Sequence, residues 1–310
     1  MIVDPHDLTL RPITGPEELG LFTRLHDALD HELAGDLADG RRRPEWMWVA
    51  LRGGHLVARA AWWARPGHDE PHVLDVFDLD ERAHDRVGVG VRLLETAMAA
   101  VPARPEYCRF VPPGWRDDPA ARTPVEERMA ALERTGARLF VERLRLEWRP
   151  GTPVPEPRGR LTFRPVGAAE ELIRLMADVL DGTLDAHSRA DLKRMCAWEA
   201  AVAQYEDELS GYPSPREWWR IATLPDGEPV GFVIPARNAY HPIIAYLAVR
   251  PAHRGNGYVD DILAEGTRVL AAQDVPLIRA STDLGNVPMA RAFERAGYVT
   301  FEHQIDMTWS

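Results

Sequence analysis

The residues whose types and spacing best suit chemistry are Arg254-Gly255-Asn256-Gly257-Tyr258. Two glycines one residue apart let backbone N–H groups converge on an anion with no Cβ in the way. Where a helix starts directly behind such a turn, its dipole favours negative charge at the same place. Phosphate is the guest that combination takes. A plain strand-to-helix turn uses glycine for positive φ in the same way, so the two glycines alone leave both readings open.

The elements that must hold this turn can be read on either side of it. Ile243, Ile244, Tyr246, Leu247 and Val249, bounded by Pro242 and Pro251, predict a mostly buried strand. Behind the turn, Val259, Ile262, Leu263, Thr267 and Leu270 recur three or four apart, which predicts a helix with one buried face. A Rossmann fingerprint would need glycine at Asp260, and a P-loop would need Gly-Lys-Ser/Thr; neither is present.

Val249 followed by Arg254-Gly255-Asn256-Gly257-Tyr258-Val259 resembles motif A of the GNAT superfamily of acyl-CoA N-acyltransferases. The resemblance implies an acyl-CoA cosubstrate, most simply acetyl-CoA, whose pyrophosphate is held by the backbone from Arg254 to Val259. Val259 departs from the small residue usual there. It further implies that Leu247 through Val249 supply the backbone N–H that polarises the thioester, and that Asn286 bonds the pantetheine arm. As a residue type Asn286 also suits a helix N-cap, and the two roles are compatible. The tyrosine that protonates the thiolate in many members falls at Phe293, which cannot donate a proton. Tyr246 and Tyr258 are the candidate replacement acids, and His241, Glu206 and Glu208 the candidate bases. Each has a plainer reading as a packing or surface residue.

The surrounding chain is a repeat. Leu8-Thr9-Leu10-Arg11-Pro12-Ile13 with Glu17-Glu18-Leu19 recurs as Leu161-Thr162-Phe163-Arg164-Pro165-Val166 with Glu170-Glu171-Leu172, at 161 − 8 = 153. Trp46 to Ala58 and Trp218 to Phe232 both read as hairpins. Glu133-Arg134, Gly136, Phe140 and Trp148 return as Glu294-Arg295, Gly297, Phe301 and Trp309, at 294 − 133 = 161. In the first copy Gly88 and Gly90 remain, but Asp85 stands where the second copy has Arg254 and Arg86 where it has Gly255. An acid there repels pyrophosphate, so the first copy reads as degenerate.

The expected organisation is a degenerate GNAT-like domain over 1–149, a Pro-rich semi-rigid linker over 150–159, and a GNAT domain with the acyl-CoA site over 160–310. The expected fold class is α/β (α+β). By the resemblance, each unit is a mixed, mostly antiparallel sheet flanked by helices, with splayed central parallel strands. The second copy carries an insertion read as one helix from Ser188 to Leu209, with Leu192, Met195, Cys196, Val202 and Leu209 on its buried side. Its acids, Glu199, Glu206, Asp207 and Glu208, read as a solvated face or as the border of an acceptor site.

Composition narrows the class. A net charge of −11 disfavours nucleic acid and anionic lipid as partners and favours cationic amines. Two cysteines, Cys108 and Cys196, and no Cys/His cluster of zinc spacing point to a reduced, metal-free cytoplasmic protein. No window approaches 18 apolar residues, and the N-terminus lacks a basic segment followed by an apolar run, so a membrane span and export by that route are not expected. Lys193 is the only lysine, the bias of a GC-rich, actinobacterial-type genome. The leading expectation is acyl transfer to a small-molecule amine by direct attack in a ternary complex. The alternatives are a non-catalytic acyl-CoA-binding or scaffold protein and a transferase using another acyl donor. Nothing in the sequence fixes the oligomeric state.

Overall fold

The repeated Leu-Thr-x-Arg-Pro segments fold the same way twice. The computed structural model describes residues 8–26, 29–101 and 104–309. The chain divides into unit 1, Met1–Val141 with Gln304–Ser310, and unit 2, Glu142–His303. Unit 1 runs β1 (Leu8–Pro12), α1 (Leu19–Phe22), α2 (Leu33–Ala38), β2 (Met47–Arg52), β3 (His55–Trp63), β4 (Val73–Leu79), α3 (Arg86–Ala100), β5 (Glu106–Val111) and α4 (Pro119–Arg134). The strand β6 (Arg138–Trp148) then leads out of it, and from Glu142 onward belongs to unit 2.

Unit 2 continues with β7 (Thr162–Pro165), α5 (Ala169–Val179), α6 (Ala186–Asp191), α7 (Ala197–Asp207), β8 (Arg220–Thr223) and β9 (Pro229–Arg237). Then follow β10 (Pro242–Val249), α8 (Tyr258–Ala271), β11 (Ile278–Asp283), α9 (Val287–Arg295) and β12 (Val299–Thr308). From Gln304 onward β12 belongs to unit 1. Each unit is therefore completed by the last strand of the other sequence copy, a detail that repeat length alone does not carry.

The repeat also encodes an ion pair. Arg11 binds Glu18 through both guanidinium nitrogens at 2.7 and 2.6 Å, and Arg164 makes the same pair with Glu171. The Arg11 bond, helped by the Thr14 N–H, holds the Glu18 carboxyl down at about 2. The second acid of each Glu-Glu pair thus fastens the strand exit to the following helix.

In unit 1 the strand order is β1-β2-β3-β4-β5-β12, and in unit 2 β7-β8-β9-β10-β11-β6. All the neighbours with a described register are antiparallel except one central pair in each unit. β4 and β5 run parallel and pair only at Val73↔Glu106 and Leu74↔Tyr107. β10 and β11 run parallel and pair only at Ile243↔Arg279. Beyond those bridges each parallel pair diverges, so both units carry the expected splay. One extra residue sits beside each splay, Asp75 in β4 and Ala245 in β10, where the pairing with the neighbouring antiparallel strand slips.

Each sheet is packed on both faces. In unit 2, Ile244, Leu247, Ile262, Leu263, Leu270, Ile278 and Phe293 form one core under α8 and α9. Leu172, Met176, Tyr205, Trp219, Phe232 and Ile234 form the other under α5 and α7. In the first of these the buried Tyr298 hydroxyl lies 2.8 Å from Thr267 Oγ1, which also donates to the Leu263 carbonyl at 2.9 Å. Tyr298→Phe removes one buried hydrogen bond and leaves Thr267 partnered. The expected cost is about 1 kcal/mol, measurable as a lower denaturant midpoint at unchanged slope.

The inserted segment is two helices, which corrects the single helix expected over Ser188 to Leu209. Asp185 N-caps α6 by accepting from the Ser188 N–H at 2.8 Å. A second start follows at Cys196, whose Sγ accepts from the Glu199 N–H while the Glu199 carboxylate accepts from the Cys196 N–H at 2.9 Å. That capping box breaks the helical period, and the buried residues of α7 are Ala200, Ala201 and Tyr205. Cys196 is exposed and Leu192 and Met195 are half-buried, while Leu209 is buried as expected.

Candidate active site

The turn after β10 is built to leave donors unspent. Gly255 and Gly257 have φ of 81° and 69°, the left-handed region that side chains resist. Gly257 is the N-cap of α8 and offers no side chain to the helix's first N–H groups. Among the described residues, no partner is found for the N–H groups of Gly255, Asn256 and Gly257. Asn256 Nδ2 instead pins the turn by donating to the carbonyls of His253 and Arg254 at 3.1 and 3.3 Å.

The cations nearby are already engaged. Arg254 donates to the carbonyls of Val179 at 2.8 Å, Asp181 at 2.7 Å and Val249 at 3.2 Å, tying the turn to the end of α5. Arg250 pairs with Asp178 at 3.0 Å, and His253 lies 3.0 Å from Glu228. Asp260 and Asp261 place two carboxylates in the first turn of α8, and Arg295, Arg158 and Arg160 offset them. The donors left unspent at the turn, among the described residues, are therefore backbone N–H groups. Val259 packs against the core under α8, and Tyr258 packs there too, under the Arg160 guanidinium at 5.0 Å.

The open splay lies beside this turn. Among the described residues the edge of β10 that faces β11 has no strand partner past Ile243, and the Val249 carbonyl at its end is taken by Arg254. The extra residue Ala245 turns Ala245 and Tyr246 to the α5 and α7 side, while Ile244 and Leu247 face α8.

In unit 1 the equivalent space is filled. Counting three residues past each extra residue, Asp78 of β4 corresponds to Ala248 of β10. Counting three past the first bridged residue, Arg109 of β5 corresponds to Thr282 of β11. Asp78 is buried and held by Arg59 Nε at 2.8 Å and by Arg109 and Arg128 at 3.1 Å. Burial alone would raise its carboxyl, but Arg109, Arg59 and Arg128 outweigh that and hold it low. At the start of α3 the Asp85 carboxylate crowds Gly88, where a phosphate would otherwise approach. Buried Arg42 clamps the extra residue Asp75 with two bonds of 2.7 Å. Ala245 has no side chain that could be held in this way.

The other residues singled out by sequence fall in different places. Asn286 N-caps α9, accepting from the Met289 N–H at 3.4 Å. Phe293 is buried, edge-on to Tyr298 at 5.1 Å between ring centres. Tyr246 stacks edge-on to Phe232 at 5.0 Å, and burial, with Asp185 and Glu208 nearby, pushes its hydroxyl well up. Arg254 acts on Tyr246 in the opposite sense. His241 precedes β10, about 26 Å from the turn along eight strand residues. Burial, with Arg279 and Arg145, lowers its pKa. Glu206 is exposed on α7, and Glu208 accepts from the Tyr212 hydroxyl at 2.6 Å.

One group at the splay was not singled out. Asp283, the last residue of β11, is buried and accepts from the Ala186 N–H at 2.7 Å, with Arg143 Nε 3.2 Å away. Asp185, which acts on Tyr246 across the gap, also acts on Asp283. Arg143, at 3.9 Å from Asp185, serves both acids.

Splayed central parallel strands, a strand with one extra residue, and a glycine turn opening the next helix are together the architecture of the GNAT fold, present twice. Residues 174–298 match the Acetyltransferase (GNAT) family, so unit 2 holds a GNAT acetyltransferase domain. Solved structures agree over nearly the full length. A GCN5-related N-acetyltransferase from Sphaerobacter thermophilus superposes with a TM-score of 0.61 at 17% identity, over 98% of this chain and 95% of that one. A tandem GNAT protein from the clavulanic acid biosynthesis pathway gives 0.53 at 14%, over 97% and 98%. A GNAT-family acetyltransferase from Colwellia psychrerythraea gives 0.51 at 12%, over 97% and 100%. At such identities these likenesses define the tandem fold. No curated protein sequence matches the chain. Among the described residues no helix is long and apolar enough to cross a membrane.

Proposed function

We propose that this protein is an acyl-CoA-dependent N-acyltransferase that works from unit 2 alone, with acetyl-CoA as the simplest donor and a small-molecule amine as acceptor. The observation that carries this is the contrast between units: unpartnered N–H groups and an open strand edge at one splay, an internal carboxylate and three arginines at the other. In this reading the N–H groups from Gly255 to Val259 take the pyrophosphate. The β10 edge from Leu247 to Val249 takes the thioester arm and polarises its carbonyl, and the Asn286 amide nitrogen is left to donate to pantetheine. Unit 1 is a structural partner. The neighbour from the clavulanic acid pathway is described without AcCoA, and the donor is carried over here only as part of the proposal.

No Ser-His-Asp or Cys-His constellation was read in the sequence, so the amine attacks the thioester directly while both are bound. The sequence candidates for proton transfer were Tyr246 and Tyr258 as acids and His241, Glu206 and Glu208 as bases. Of these only Tyr246 lies on β10 past its bridge to β11, where burial keeps its hydroxyl protonated while making it a weaker acid toward a departing thiolate.

The test is a thermal titration of the full chain with acetyl-CoA, followed by coenzyme A release with a panel of amines. At about 100 times the dissociation constant the ligand adds roughly 2.7 kcal/mol, a rise of about 5 °C or more for a domain of this size. Saturable binding with amine-dependent release supports the enzyme. Binding without release for any amine moves the assignment to an acyl-CoA-binding scaffold, the reading that the buried, hydroxyl-free Phe293 favours.

A further inference from the structure

We propose that Asp283 is the base that takes the proton from the acceptor amine, an inference that rests on the acyltransferase reading above. Three observations on the fold place it there. It ends β11 four residues past the Arg279 bridge to β10, where the two strands have parted. It stands on the α6 side of the sheet, because Ile278 and Ala280, in alternate register with it, face the α8 core. Its Oδ1, although buried, finds no hydrogen-bond donor among the described residues. A buried carboxylate oxygen left unbonded costs free energy, and a site that binds an amine N–H there recovers it.

The other oxygen is fixed. Oδ2 accepts from the Ala186 N–H at 2.7 Å, which orients the carboxylate and leaves Oδ1 to act. The charged neighbours come from each packed element. Arg143 on β6 lies 3.2 Å from Oδ1 without a hydrogen-bonding alignment. From the start of α6, Asp185 repels the charge and His187 favours it. On β10 the Tyr246 hydroxyl feels the same Asp185. Glu142, next to Arg143 on β6, is engaged with His303 Nδ1 at 2.7 Å. Burial, then Asp185, raise the Asp283 carboxyl, and the Ala186 bond, Arg143 and His187 only partly offset this. A raised carboxylate is a stronger base than a surface one.

The proton balance closes without another reagent. An alkylammonium acceptor gives one proton to the Asp283 carboxylate, directly or through one water, and becomes a neutral amine. Its nitrogen lone pair forms the C–N bond at the thioester carbonyl as the C–S bond breaks. The remaining surplus proton on nitrogen goes to the departing sulfur, yielding amide and thiol, and Asp283 returns its proton to solvent. The absence of a hydroxyl at Phe293 leaves that second transfer to Tyr246 or to water.

The experiment compares wild type, Asp283→Asn and Asp283→Glu as full chains. Acetyl-CoA binding is followed by thermal shift. Coenzyme A release is followed from pH 5 to 9 with spermidine, glucosamine and phenylalanine amide, the fastest being carried forward. The expected result is unchanged acetyl-CoA affinity in Asp283→Asn with about 100-fold lower turnover and loss of the acid limb of the pH profile. Asp283→Glu should regain part of the rate with a displaced acid limb. A buried structural carboxylate would alter stability and leave that limb in place. Asp283→Asn within threefold of wild type, with the limb unmoved, overturns the inference alone. Should Asp283→Asn fail to fold, an unmoved limb in Asp283→Glu does the same. No turnover by wild type overturns the acyltransferase reading and this inference with it.

Discussion

Gly257→Asp is expected to abolish acetyl-CoA binding at concentrations that saturate wild type, with affinity falling by about 100-fold or more. Two effects act at one atom. At φ 69° an aspartate is strained, although this residue type tolerates the left-handed region better than most. That penalty is small beside the second. The new carboxylate stands where free N–H groups and the helix dipole converge, and it either fills the anion site or repels the phosphates entering it. Like charges at close range cost several kcal/mol, and each 1.4 kcal/mol is tenfold in affinity. A Cβ at Gly257 meets nothing closer than Asp260 Oδ2 at 4.0 Å, so the fold should survive. The matched change in unit 1 is Gly88→Asp, where a Cβ would overlap the carboxylate of Asp85, an exposed side-chain end that can swing aside, and no loss of affinity is expected. Gly90 is unsuited as the control because a Cβ there would lie 2.9 Å from Leu79 and 3.0 Å from Phe77, so a loss would report misfolding. Thermal-shift titration checks both variants, and equal loss from both would contradict a single site in unit 2.

That contrast between units was half legible in the sequence. The strand, turn and helix around Gly255 and Gly257 follow from local apolar spacing, and the structure forms them over Pro242–Val249 and Tyr258–Ala271. The repeat announced two sheets, and Asp85 in place of an arginine set the first copy's turn apart from the second's. What could not be read were partners brought together by the fold. Asp283 takes its hydrogen bond from a residue 97 positions away, and its guanidinium from the strand that registers Arg143 against it. Asp78 meets Arg59 and Arg128 across 19 and 50 residues. Each is an ordinary acid in an alternating strand until the topology is known. The break between α6 and α7 did leave a local trace, Asp185-x-x-Ser188 and Cys196-x-x-Glu199, the second obscured by cysteine in a position usually held by serine or threonine. The resemblance put the Arg254 backbone at the pyrophosphate. Its guanidinium closes the carbonyls at the end of α5, a role that depends on where α5 ends.

Asp78→Asn should be the most damaging single change to unit 1, lowering stability by about 3–5 kcal/mol, because it breaks a buried ion pair from one side only. The three guanidinium groups of Arg59, Arg109 and Arg128 share this carboxylate, and Arg59 is wholly buried. Asp30 at 2.8 Å and the Phe22 carbonyl at 3.0 Å still hold Arg59 Nη1, so the loss centres on the two longer contacts and on Arg59 Nε. An asparagine keeps the volume, which separates charge from packing. Because the native carboxyl is held low, its contribution is fully present above about pH 4 and is lost as the pH falls through the native value, where the carboxylate takes up a proton. Wild type should therefore approach the stability of the variant only in strong acid, and chemical denaturation at pH 7 and pH 2 measures that convergence. Equal stability at pH 7 would remove the buried cluster as the reason why unit 1 keeps its splay filled. Loss of stability with retained acetyl-CoA binding by the folded fraction would show that unit 1 folds around its own buried carboxylate and that binding does not depend on it.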